Sequence, residues 1–162
     1  MIDKKDTGIL LILQKDARTS NAEIARRLGI APSAVLERIR KLEERGVIRG
    51  YTARIDPDAL DAGLLAFVFV QTELRTERKA GQFLASLPEV QEVHHIAGED
   101  CYLVKVRCSS TQDLGRLLEK EIGASVSVTR TRTTIALGTL KETSALRIPE
   151  AGAAATPRKG RR

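Results

Sequence analysis

The sequence predicts an α+β chain, a helical N-terminal module followed by one that alternates strands and helices. Three observations carry this. Apolar residues up to position 46 recur at helical spacing. From Leu64 onward the apolar runs become dense and rich in β-branched and aromatic residues. Between those runs, two segments return to helical spacing. The 162 residues suit one or two small domains, and 42% apolar content supports ordinary cores.

The elements follow in order. Asp3 and Asp6 precede the run Ile9, Leu10, Leu11, Ile12, Leu13. Acids favour the positive end of a helix dipole, so a first helix is placed at roughly 4–15. KDARTS breaks the pattern. Ser20 with Glu23 three residues on predicts a reciprocal capping box at the start of a second helix. That helix buries Ile24, Ala25 and Leu28 and ends at Gly29. Pro32 suits the first turn of a third helix, where its missing N–H is not needed. Val35, Ile39 and Leu42 fall at i, i+4 and i+7 and define its buried stripe. Gly46 is expected to close it in the left-handed conformation. VIRGYTARI (47–55) reads as a strand or an extended linker, closed by Asp56-Pro57.

In the second module LLAFVFVQTEL (64–74) is strand-like, and Ala80, Phe83, Leu84 and Leu87 mark a helix stopped by Pro88. VQEVHHIA (90–97) and CYLVKVRC (101–108) flank the turn Gly98-Glu99 as a hairpin. Ser110, Thr111 and Asp113 open a further helix through Leu114, Leu117 and Leu118, ending near Gly123. SVSVTRTRTTIALGTL (125–140) is the last strand. The order β-α-β-β-α-β is the ferredoxin-like arrangement. Two helices cover one face of four strands. The other face needs a partner, and a second copy of the same sheet is the simplest one. The expected domains are 1–46, a linker at 47–63, a second domain at 64–147, and a basic tail at 148–162. PEAGAAATPRKGRR (149–162) lacks large apolar residues, so the tail is expected to be disordered.

Charge is distributed unevenly. Of the net +6, residues 1–57 carry +4, residues 58–147 carry −1 and residues 148–162 carry +3. A basic module joined to a neutral one fits a polyanion binder with a separate second function; an uneven but merely solubilising surface is the alternative. Aromatics are 3% with no Trp, which argues against stacking on single-stranded RNA. Cys101 and Cys108 lack CxxC spacing and make no disulfide framework, so a reducing cytoplasm is expected. No signal peptide or membrane anchor is expected, because no long apolar span occurs. Adjacent His94 and His95 point to opposite faces of a strand, so no metal site is expected. No catalytic constellation or phosphate-binding glycine loop stands out, and neither enzyme activity nor a cofactor is expected.

AEIARRLGIAPSAVLERIRKLEERG (22–46) has the grammar of a helix-turn-helix. With Val35, Ile39 and Leu42 buried, a step of about 100° per residue turns Ser33, Glu37, Arg40, Lys41 and Glu44 outward and leaves Arg38 on the flank. Recognition helices contact bases through their N-terminal part. The stretch from Pro32 through Ser33, Ala34 and Glu37 to Arg38 is therefore assigned to bases. Arg40, Lys41, Arg26 and Arg27 are assigned to phosphates of double-stranded DNA. A helical hairpin with a solvated charged face is the alternative.

These pieces resemble the Lrp/AsnC (feast/famine) family of bacterial and archaeal transcription regulators. The resemblance spans residues 2–147. It rests on DKKDTGILLILQKDARTSNAEIARRLGI, PSAVLERIRKLEERGVIRGYTARIDPDALDAGLLAFV, HHIAGEDCYLVKVR and TRTRTTIALGTLKET. It implies a DNA-binding helix-turn-helix domain and a regulatory αβ-sandwich. It further implies dimers formed through the sheets, octamers assembled from such dimers, and a small effector, typically an amino acid, bound between subunits. Carried over position by position, the effector region involves Gly98, Glu99, Asp100 and Tyr102, completed by Thr133, Thr134, Ile135 and Ala136, expected from a neighbouring subunit. Two departures matter. Ala31 stands where the family often has a Ser cap. The hairpin reads Gly98-Glu99-Asp100-Cys101-Tyr102, so its aspartate comes one position early and a cysteine takes the usual place. An oligomeric ligand-binding or DNA-architectural protein without operator reading is the alternative.

Overall fold

Each backbone N–H at a helix start needs an acceptor, and Asp3 supplies one for the first helix. Its carboxylate accepts from the Asp6 N–H at 2.8 Å, while the Asp6 carboxylate accepts from the Asp3 N–H at 3.2 Å. This reciprocal box starts α1 (Lys4–Lys15). The computed structural model describes residues 2–73, 77–125 and 127–149. Leu74, Val126 and the tail from Glu150 onward lie outside the described residues. The chain divides into two compact units. One combines the residues up to Arg54 with the segment from Glu142 onward, and the other runs from Ile55 to Lys141.

In the first unit α1 packs with α2 (Asn21–Leu28) and α3 (Pro32–Glu44). Ile9, Ile24, Ala25, Val35, Ile39 and Leu42 form the core. Gly8 lies where α1 meets Leu28, since a Cβ there would come within 2.6 Å of a Leu28 methyl. Gly29 and Gly46 take left-handed φ values of 62° and 66°, as turns after α2 and α3 require. Ala31 starts α3 with no side-chain cap.

The Ser20 capping box is only half formed. Ser20 Oγ accepts from the Glu23 N–H at 3.2 Å. The Glu23 carboxylate turns instead to Arg26 and Arg27. Charge-assisted hydrogen bonds from two guanidiniums outweigh one from a neutral backbone N–H.

Residues 142–147 group with the first compact unit. The Gln14 amide clasps the backbone of Leu146, donating to its carbonyl at 3.1 Å and accepting from its N–H at 2.6 Å. Arg54 donates to the Glu142 carbonyl. Residues 47–63 form no strand. Val47 and Ile48 fold back on α3, both N–H groups donating to the Leu42 carbonyl, and an irregular linker follows to a short 3-10 turn at Asp58–Leu60; no strand among the described residues pairs with these residues.

The second unit is a four-stranded antiparallel sheet in the order β2-β3-β1-β4. Its elements are β1 (Leu64–Thr72), α4 (Glu77–Leu84), β2 (Val90–His95), β3 (Tyr102–Cys108), α5 (Thr111–Arg116) and β4 (Val128–Ile135). A wider π-type turn at Leu117–Ile122 continues α5. Ala66, Val68 and Val70 of β1 and Val104 and Val106 of β3 face the core, with Ala80, Leu84, Leu114, Leu117 and Ile122 from the helical segments. The alternate residues Phe67, Phe69, Leu103 and Lys105 face the other side and are half-buried. β4 ends at Ile135, short of the expected 140. Its last ladder bond runs from Ala136 N–H to the Leu65 carbonyl. Leu137 and Leu140 are consequently fully exposed.

Candidate nucleic-acid interface and effector hairpin

The outward side of α3 is set by its buried stripe. Val35, Ile39 and Leu42 are 9% exposed or less. Pro32, Ser33, Leu36, Glu37, Arg40, Lys41 and Glu44 are exposed, and Ala34 and Arg38 are intermediate. Glu37 accepts from Arg40 at 3.0 Å and pairs with Lys41 at 3.2 Å, and Arg40 also bridges to Glu44. The Arg40 hydrogen bond, followed by that of Lys41, holds the Glu37 carboxyl at about 2. Arg26 and then Arg27 hold Glu23 at about 2 in the same way. All these pairs are largely in water, where ion pairs are weak. A phosphate can therefore compete for Arg26, Arg27, Arg40 and Lys41 at little cost.

Arg38 is engaged elsewhere. Its guanidinium donates to Asp3 at 2.7 Å and to Asp6 at 2.6 Å, tying α3 to the cap of α1. The Asp6 side chain is only 10% exposed. The Asp6 backbone N–H, and next Arg38, hold the Asp3 carboxyl below its ordinary range. In this structure Arg38 joins α3 to α1, whereas the sequence expectation places it at bases. Leu36, 58% exposed on the outward side of α3, is a surface residue absent from the sequence candidates. Its signal is an apolar side chain about 90° from the buried stripe.

The hairpin between β2 and β3 is pinned on both sides. The Cys101 N–H donates to the Val70 carbonyl at 3.0 Å, and the Gln71 side chain donates to the Glu99 carbonyl at 3.2 Å. Gly98 takes φ 148°, a conformation side chains disfavour. Asp100 accepts from Arg132 of β4 at 3.0 Å, and the Arg132 guanidinium stacks over the Phe69 ring at 4.0 Å. Arg132 is not among the sequence candidates. It reads as one more strand residue until β1 brings it opposite Phe69.

Tyr102 points the other way. Its ring is buried in the core, against Gly81 of α4 and 5.3 Å from the His95 ring. Thr133, Thr134, Ile135 and Ala136 sit toward the opposite end of β4. Ile135 pairs with Ala66, whereas the hairpin meets β1 at Val70 and Gln71. Two residues of strand separate Val70 from Val68, the partner of Thr133, about 7 Å, whereas four to five separate Val70 and Gln71 from Ala66, the partner of Ile135, about 13–17 Å. One protomer leaves Ile135 and Ala136 apart from the hairpin.

Residues 65–146 match the family model for the Lrp/AsnC ligand binding domain, and residues 2–49 match that for a winged helix-turn-helix DNA-binding domain. The chain belongs to the Lrp/AsnC family of transcriptional regulators. Its relatives include the HTH-type transcriptional regulator FL11 of Pyrococcus horikoshii, 40% identical over 91% of this chain and 97% of that protein. The leucine-responsive regulatory protein of Escherichia coli is 37% identical over 90% of each. Among solved structures, a feast or famine regulatory protein from M. tuberculosis complexed with L-methionine superposes with a TM-score of 0.86 at 37% identity, covering 92% of this chain and all of that one. Escherichia coli AsnC superposes at 0.84 with 29% identity, covering 90% and 98%. As an Lrp/AsnC regulator the chain pairs a helix-turn-helix domain with a ligand-binding domain, and the hairpin described above lies in the latter. Among the described residues no group of His, Cys, Asp and Glu could hold a metal ion, and no helix is long and apolar enough to cross a membrane.

Proposed function

We propose that this regulator binds double-stranded DNA as a homodimer, with octamers as the higher assembly. Its DNA affinity or assembly would respond to a free amino acid, and it would act in the cytoplasm without catalysing a reaction. The outward face of α3 carries the DNA reading. Pro32, Ser33, Ala34, Leu36 and Glu37 stand at its N-terminal half with no buried role, and Arg40 and Lys41 follow within reach of phosphates. Leu36 adds an apolar contact suited to a thymine methyl group. The half-buried row of Phe67, Phe69 and Leu103 supports pairing of two sheets, since an uncovered apolar face is a natural interface. The separation of the hairpin from Ile135 and Ala136 supports an effector site built from two copies. The M. tuberculosis relative complexed with L-methionine makes that amino acid the first probe.

Anisotropy titration of a labelled duplex from the protein's own upstream region tests the reading, against a scrambled duplex across a salt series. Log affinity should fall against log salt by about 0.9 per phosphate contact. Equal affinity for both duplexes would overturn sequence-specific regulation. A melting-temperature screen against the twenty amino acids tests the effector, and no shift with any of them would overturn that part.

A further inference from the structure

We propose that Glu37 is a specificity-determining residue of α3, selecting cytosine and rejecting guanine and thymine at one position of each DNA half-site. This rests on the DNA reading above and names the base chemistry that one side chain imposes. From Pro32 to Arg38 the only charged residues are Glu37 and Arg38, and Arg38 is held by Asp3 and Asp6. Glu37 therefore carries the charge that this stretch presents outward. At a step of about 100° per residue it points roughly 170° away from the mean direction of Val35, Ile39 and Leu42. Ser33 lies one turn before it and Arg40 one turn after, so the three form a single outward ridge.

The carboxylate is steadied from the C-terminal side. Arg40 donates to it through Nε at 3.1 Å and Nη2 at 3.0 Å, and Lys41 Nζ lies 3.2 Å away. Nearly half of the Glu37 side chain, 48%, stays exposed. The two cations offset its charge, which lets it enter a groove flanked by phosphates. They also keep it ionised at neutral pH, and an ionised carboxylate only accepts hydrogen bonds. The bases divide on that point. In the major groove guanine presents N7 and O6 and thymine presents O4, all acceptors. Facing either, the carboxylate would lose water and gain no donor. Cytosine presents its N4 amine and no acceptor of its own, whereas adenine sets its N6 amine beside the N7 lone pair. Cytosine is the base that matches Glu37 without an opposing acceptor.

Selection of bound duplexes from a library with a randomised core, followed by sequencing, tests this with the full chain, Glu37→Gln and Glu37→Ala. The parent should enrich a cytosine at symmetric positions of the two half-sites. In a fixed duplex, replacing that cytosine with guanine or thymine should weaken binding by about tenfold in anisotropy titrations. Glu37→Gln should move the preference at that position to adenine, whose N6 and N7 a glutamine amide matches. Glu37→Ala should level that position and leave the preferences elsewhere in the site standing. Matched melting temperatures exclude misfolding. If both variants enrich the same site as the parent, the assignment is overturned while the DNA reading stands. It is equally overturned if Glu37→Ala tightens binding to every duplex alike, since the carboxylate then only holds Arg40 and Lys41 back from phosphates. If the parent enriches no sequence, the DNA reading itself fails, and this assignment with it.

Discussion

Arg38→Ala separates a structural role from a base-reading one. In the structure the Arg38 guanidinium donates to Asp6 at 2.6 Å and to Asp3 at 2.7 Å. The Asp3 side chain is half-exposed, so that arm contributes about 0–1 kcal/mol. The Asp6 side chain is 10% exposed, and removing Arg38 leaves it with the Asp3 N–H alone. A hydrogen bond to a charged group contributes about 1.5–3 kcal/mol, so the expected loss is about 2 kcal/mol. For a unit of this size that lowers the melting temperature by about 8–16 °C when the unit unfolds cooperatively. Circular dichroism melts measure the shift. Anisotropy at a temperature where the variant is folded measures discrimination between upstream and scrambled duplexes. The account predicts a large melting shift with discrimination kept. A variant that melts like the parent but no longer distinguishes the two duplexes would refute it and return Arg38 to the bases.

Other consequences follow from the same geometry. Glu23 and Glu37 titrate at about 2 when folded, against an ordinary 4.5, so their contribution is complete above about pH 4.5 and lost as pH falls toward 2. Helix content of the N-terminal unit followed by circular dichroism should hold from about pH 7 to 5 and decline below about 4.5; a loss centred near pH 6 would contradict the assignment. Ser20→Ala should cost about 1 kcal/mol in denaturant unfolding. Glu23→Gln should leave the cap intact, because only the Glu23 N–H takes part in it. Gly81→Ala places a Cβ 2.6 Å from the Tyr102 hydroxyl and should cost about 1–3 kcal/mol, with Tyr102→Phe relieving part of it. Burial raises the Cys108 thiol pKa, so in the folded protein it should react with iodoacetamide only slowly at about pH 8, by mass spectrometry.

Local pattern is the legible part of this chain. Acids ahead of an apolar run place α1 at Lys4–Lys15, and periodicity picks Val35, Ile39 and Leu42 as the buried stripe. What it cannot read depends on distant partners. Arg38 reads as a flank residue, but its two carboxylates lie 32 and 35 residues away. Arg132 gains meaning only through its register against Phe69. Tyr102 lies beside the effector turn in sequence, yet strand alternation sends its ring into the core. Strand β4 stops at Ile135, although apolar residues continue to Leu140. The Gln14 clasp on Leu146 joins residues 132 apart through a backbone that carries no side-chain signal.

Reciprocal linkage tests the central claim most directly. If DNA reading and amino-acid binding belong to one regulator, methionine must change DNA affinity by a factor that DNA returns in methionine affinity. The measurement pairs anisotropy of the upstream duplex, with and without saturating L-methionine, with calorimetry of L-methionine, with and without saturating duplex. Equal factors different from one are expected on this account. Methionine that binds while leaving affinity for DNA, and the oligomeric state, unchanged would contradict it.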